Sequence, residues 1–71
     1  MSELDARLLA AHAARDHRAL VGLYLEAAEA ANNPEAAGFY LTHAYIFALE
    51  QNHPAAPDLR ARLISEGREP A

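Results

Sequence analysis

Residues 32–54, NNPEAAGFYLTHAYIFALEQNHP, decide the fold. The stretch opens on the strongest boundary in the chain. Asn33 has a side chain that caps a helix, and Pro34 suits the first helical position, where its missing N–H has no intrahelical partner to lose. Glu35 complements the positive end of the helix dipole. At the far end Pro54 disfavours a helical backbone at His53, so the spacing predicts one helix over 34–51. Within nine residues, 39–47, this segment carries four of the chain's five aromatic side chains and one histidine. On a helical wheel, Ala37, Leu41, Ala44 and Ala48 share one side, with Tyr45 at its edge. Phe39, Tyr40, His43, Ile46 and Phe47 occupy the opposite side, and only a narrow strip around Glu35 and Thr42 is polar. A helix that is apolar almost all round is a buried helix.

The same punctuation organises the rest of the chain. Ser2 with Asp5 forms a short capping-box signal for a first helix over 3–14, with an apolar stripe of Leu4, Leu8 and Ala11. Asp16 reads as the cap of a second helix over 17–31, in which Leu20, Leu23, Tyr24, Ala27 and Ala31 fall within one sector. A fourth helix is predicted over 55–66, stopped by Gly67, and residues 67–71 read as a flexible tail. The breaks at Asp16, Pro34 and Pro54 are 18 and 20 residues apart. Connections this short make consecutive helices antiparallel. Composition agrees: alanine fills 18 of 71 positions, while valine and threonine occur once each. The expected class is all-α, a single domain over 1–66 of four antiparallel helices, packed as helical hairpins or a small bundle.

Internal similarity adds a repeat. A shift of 21 residues places Leu20 on Leu41, Tyr24 on Tyr45, Ala27 on Ala48 and Glu29 on Glu50. A shift of 20 places Asn32-Asn33-Pro34 on Asn52-His53-Pro54. In this order of apolar residue, aromatic, alanine and proline-containing turn the chain resembles the tetratricopeptide-type repeats, over residues 16 to 55. Leu41, Tyr45, Ala48 and Pro54 follow the pattern of the family's second helix, as do Leu20, Tyr24, Ala27 and Pro34. No tryptophan or Leu-Gly pair opens a first helix, and both turns arrive one or two residues late, so no groove residue of the family carries over. The resemblance implies a helical-hairpin array that docks proteins.

Charge and chemistry narrow the function classes. Ten acids against six arginines give a formal net charge of −4, with the arginines spread over three segments. A nucleic-acid binder needs a basic footprint, so no nucleic-acid partner is expected. The charged start, MSELDARLLAAHAARD, reads as neither a signal peptide nor a membrane span. With no cysteine, the expectation is a soluble, cytoplasmic protein without membrane contact. Serine and threonine hydroxyls occur only at Ser2, Thr42 and Ser65, and no glycine-rich phosphate loop or HExxH motif is present. We expect no enzyme, cofactor or metal. The alternative reading is a small metal-binding or catalytic bundle using His43, Glu50 and His53, since Glu50-x-x-His53 has the spacing of helical di-iron ligands. Those bundles need two such motifs and two further glutamates; this chain has one.

The principal expectation is a non-catalytic protein-interaction module. A domain of this length buries only about 60% of its unfolded surface, which leaves it marginal alone. Phe39, Tyr40, His43, Ile46 and Phe47 form the candidate interaction surface, whose large side chains can each bury on the order of 150 Å². At roughly 25 cal/mol per Å² that is several kcal/mol of driving force. The fourth helix offers Ala56, Leu59, Leu63 and Ile64, a thin stripe that could cap part of the face. One short helix is too little to cover it, so the favoured cover is protein: a second copy making a homodimer, or else a partner. An internal core wall and an interface remain the two readings of this face.

Overall fold

The computed structural model describes residues 2–68. It contains four α-helices: α1 (Glu3–Ala14), α2 (His17–Ala30), α3 (Pro34–Glu50) and α4 (Ala56–Ser65). No strand occurs among the described residues, and no helix among them is long and apolar enough to cross a membrane. The chain is all-α.

Local chemistry sets the helix starts. The Ser2 N–H donates to Asp5 Oδ2 at 3.3 Å while Asp5 N–H donates to Ser2 Oγ at 3.1 Å, a reciprocal box that satisfies two otherwise orphaned donors. Asp16 Oδ1 accepts from Ala19 N–H at 3.2 Å, and Asn33 Oδ1 from Ala36 N–H at 2.8 Å, with Pro34 directly after the cap. Left-handed residues follow α1 and α3. Arg15 (φ 55°) closes α1 and Asn52 (φ 50°) follows α3; in each case a carbonyl of the last turn receives an N–H from just beyond. The third helix thus ends by this turn, ahead of Pro54. Ala55 has no side chain to cap α4, and His53 substitutes: its Nδ1 accepts from Ala55 N–H at 3.0 Å.

Gly67 sits where the sequence places the stop of α4, and Arg68, in the stretch read as a tail, makes two hydrogen bonds. Gly67 (φ 74°) takes the left-handed cap position, Arg68 N–H donates to Leu63 O at 2.8 Å, and Arg68 Nη2 donates to Pro34 O at 2.9 Å. The remaining tail residues, 69–71, lie outside the described residues.

Backbone approach among the described residues is confined to consecutive helices, α1 on α2, α2 on α3 and α3 on α4. Side chains reach between alternate ones: Arg62 of α4 meets Glu29 of α2 at 3.5 Å, and the ring of His12 in α1 meets Phe47 in α3 at 6.1 Å. The result is a staggered layer, 34 × 29 × 12 Å along its principal axes, with α1 and α3 on one broad face and α2 and α4 on the other. One cluster joins Val21 and Ala28 of α2, Leu41, Ala44 and Ala48 of α3, and Leu59 and Leu63 of α4. The alanine side of α3 therefore accommodates two neighbours. Small side chains there allow close axis approach, so Leu59 and Leu63 seat beside α2 rather than across the aromatic side. The possibility that α4 caps the aromatic face is not realised.

Candidate aromatic interaction face

The structure divides the five predicted surface residues into two groups. Tyr40, His43 and Phe47 are half-buried and turn toward α2, where Tyr24 is the common partner. The Tyr24 ring lies parallel to Phe47 at 5.8 Å, and its centroid is 5.2 Å from His43 and 6.2 Å from Tyr40. Offset stacks and edge contacts of this kind each add roughly 0.5–1.5 kcal/mol beyond area burial. Phe39 and Ile46 point the other way and remain 57% and 46% exposed.

Two histidines extend the ring cluster onto neighbouring elements. His12 Nε2 and the Tyr24 hydroxyl are hydrogen-bonded at 2.9 Å, and His17 approaches Phe47 at 5.4 Å. The cluster thus spans α1, α2 and α3 and fixes the orientation of the half-buried rings. His43 Nδ1 lies 2.9 Å from the Phe39 carbonyl. A carbonyl oxygen only accepts, so Nδ1 carries the proton and Nε2 is the acceptor nitrogen of the neutral ring. The His43 ring also sits 4.3 Å from Phe39, which it props outward from the helix.

Leu49, 55% exposed, continues the row beyond Ile46 and borders a small cleft with Tyr45, Ala56, Pro57 and Arg60. Leu9 of α1 is exposed to a similar degree, 57%. Sequence reasoning did not include either residue in the face. The wheel carried a signal for Leu49, which follows Thr42 by two turns and so shares its solvent-facing strip. No signal in the sequence placed His12, His17 and Tyr24 behind the face, because that depends on how α1 and α2 are rotated.

A second feature lies between α1 and α3. Leu4 and Leu8 form one wall and Tyr40 the other, over a floor that includes Ala27, Ala31 and Ala36, with Asp5, Asn32 and Asn33 at the rim. The cleft measures about 300 Å³. Tyr40 belongs to both features, since its ring also meets Phe39 edge-on at 5.6 Å.

The residues of the metal and catalytic alternative are not brought together in this arrangement. His53 sits in the α3–α4 turn with Nδ1 engaged by Ala55 N–H, His43 is bonded to its own helix, and Glu50 is exposed at the end of α3. No group of three His, Cys, Asp or Glu side chains placed to hold a metal ion occurs among the described residues. The three serine and threonine hydroxyls are engaged with backbone: Ser2 Oγ accepts from Asp5 N–H, Thr42 Oγ1 donates to Gly38 O, and Ser65 Oγ donates to Arg62 O.

Arg68 pairs with Glu66 at 3.5 Å and lines a cleft beside Phe39 and His43. Arg7 reaches Glu26 at 3.0 Å and Glu3 at 3.6 Å, and the hydrogen bond to Glu26 raises the guanidinium above its already high ordinary value. A raised cationic group contributes stability that is present below its unfolded value and lost only as pH climbs through the folded one. For Arg7 that window is strongly alkaline, so this pair does not sense pH near neutrality. Comparison with protein-family models, curated proteins and solved structures finds no match to the chain.

Proposed function

We propose that the chain is a non-catalytic protein–protein interaction module, a tetratricopeptide-like helical-hairpin array that forms a homodimer through the aromatic face of α3. One observation carries this reading. Phe39, Ile46 and Leu49 make an exposed apolar row along α3, backed by rings that Tyr24 and His12 hold in place. A rigid apolar row needs little ordering when it docks, and that lowers the entropic cost of association. The small size of the domain favours the same outcome, since a core of this scale rarely supplies more than about 3–5 kcal/mol without a second copy or another staple. The absence of cysteine fits a reducing, cytoplasmic setting.

The test is the mass of the protein in solution. Sedimentation equilibrium, or size exclusion with light scattering, should give a dimer at tens of micromolar. The double variant Phe39→Ser/Ile46→Ser should be a folded monomer with unchanged far-UV circular dichroism. A wild-type chain that stays monomeric at those concentrations refutes the proposal.

A further inference from the structure

The aromatic row and the cleft share one broad face, separated by a single side chain. Phe39 projects from α3 on one side of Tyr40, and the cleft opens between α1 and α3 on the other. A projecting ring and a recess on the same face are the two halves of a self-complementary contact. A two-fold axis running near Tyr40 brings each ring opposite the other copy's recess, and such an isologous arrangement closes at two chains. We infer that two copies of this chain pair face to face, with Phe39 of each seated in the α1–α3 cleft of the other. The inference rests on the self-association reading and specifies its geometry.

Size, lining and the open side of α3 support a second copy as the occupant. The broad face measures 34 × 29 Å, and a standard interface takes roughly 800 Å² from each partner, so one face is large enough to supply it. The cleft, at about 300 Å³, has apolar walls at Leu4, Leu8 and Tyr40 and a polar rim at Asp5, Asn32 and Asn33. That is the anatomy of an interface pocket: an apolar centre for one anchor side chain and hydrogen-bonding groups around it. Among the described residues no helix lies over Phe39, Ile46 and Leu49, so the outer side of α3 has no packed layer against it. A second copy turned through two-fold symmetry supplies the missing layer for both chains at once.

The pairing predicts complementation. Phe39→Ala removes the ring and keeps the recess. Ala31→Leu fills the recess, where Ala31 is half-buried on its floor, and keeps the ring. Each variant alone should dimerise about a hundredfold more weakly than the wild type or worse, since a central anchor is lost twice per dimer. An equimolar mixture should recover association well above either variant alone, because the heterodimer retains one ring and one open recess that match. Sedimentation velocity on the separate and mixed proteins reads this directly. Circular dichroism and thermal melts establish that each variant is folded; Ala36→Leu replaces Ala31→Leu if the latter is not. A wild-type dimer that neither variant weakens overturns the ring-and-recess geometry while leaving self-association standing. Weakened variants with no recovery on mixing also overturn it. A monomeric wild-type chain removes both proposals together.

Discussion

Gly22 offers a perturbation whose size and location can both be worked out from the structure. It sits inside α2 with ordinary helical geometry, it is exposed, and a Cβ built on it meets nothing within 4 Å. Gly22→Ala therefore introduces no clash and needs no backbone adjustment. Glycine in a helix interior is about 0.8–1.0 kcal/mol worse than alanine, partly because the unfolded chain loses freedom when a Cβ is added. Per kilocalorie, a domain of 60–100 residues shifts in Tm by about 4–8 °C, so the melt should move by several degrees. Position adds a second expectation. Gly22 precedes Tyr24 by two residues, roughly 200° around the helix, which puts it on the opposite side of α2 from the ring cluster. The dissociation constant of the proposed dimer should thus stay where it was. Thermal melts by circular dichroism at low concentration, paired with sedimentation of the same sample, measure both quantities. A variant that fails to gain stability, or gains it while losing association, would place a contact on the outer surface of α2. Such a contact is incompatible with the proposed interface on α1 and α3.

Three further outcomes test the packing. Leu63→Ala removes a side chain that is 1% exposed; buried Leu→Ala costs about 2.7–5.0 kcal/mol, comparable to the whole stability of so small a domain, so far-UV circular dichroism should show large helix loss. Asn33→Ala deletes the cap bond to Ala36 N–H and should lower stability by about 1 kcal/mol, read as a reduced urea midpoint with unchanged slope. At Gly38 the added Cβ of alanine would meet the guanidinium of Arg68, so the propensity gain is offset by displacing that group from Pro34 O. Gly38→Ala should consequently be near neutral alone, yet stabilise by about 1 kcal/mol in an Arg68→Ala background, a coupling that a double-mutant cycle resolves.

The helix starts were legible because capping is local chemistry. Ser2, Asp16 and Asn33 each bond an N–H three residues on, and no distant part of the chain is needed to arrange that. The ends were less legible. Ala31 adopts an extended backbone and Asn52 a left-handed one, so α2 and α3 stop one residue before the predicted limits, and α4 begins one residue late because Ala55 has no capping side chain. Arg68 was invisible as a fastening residue, since its partner Pro34 is 34 positions away. Among the surface residues, the wheel alone placed Phe39 and Ile46 correctly away from the alanine seam. It gave no means of separating them from Tyr40, His43 and Phe47, whose burial depends on Tyr24 crossing from α2.

The division of α3 into a sealed side and an open one follows from side-chain size. Ala44 and Ala48 are fully buried and project little, so α2 and α4 both approach that side and share the cluster built on Leu41. A larger residue at either position would hold one of the two helices away and leave it free to lie across the rings. Alanine at both draws α4 to the closed side, and with α1 packed on α2, no helix among the described residues lies over Phe39, Ile46 and Leu49. The exposed row is thus the counterpart of the tight alanine seam. The same substitution that disrupts one should cover the other: a bulkier residue at position 44 or 48 is expected to loosen α4 and weaken the proposed self-association together, whereas changes at Phe39 should weaken only the association and leave the fold alone.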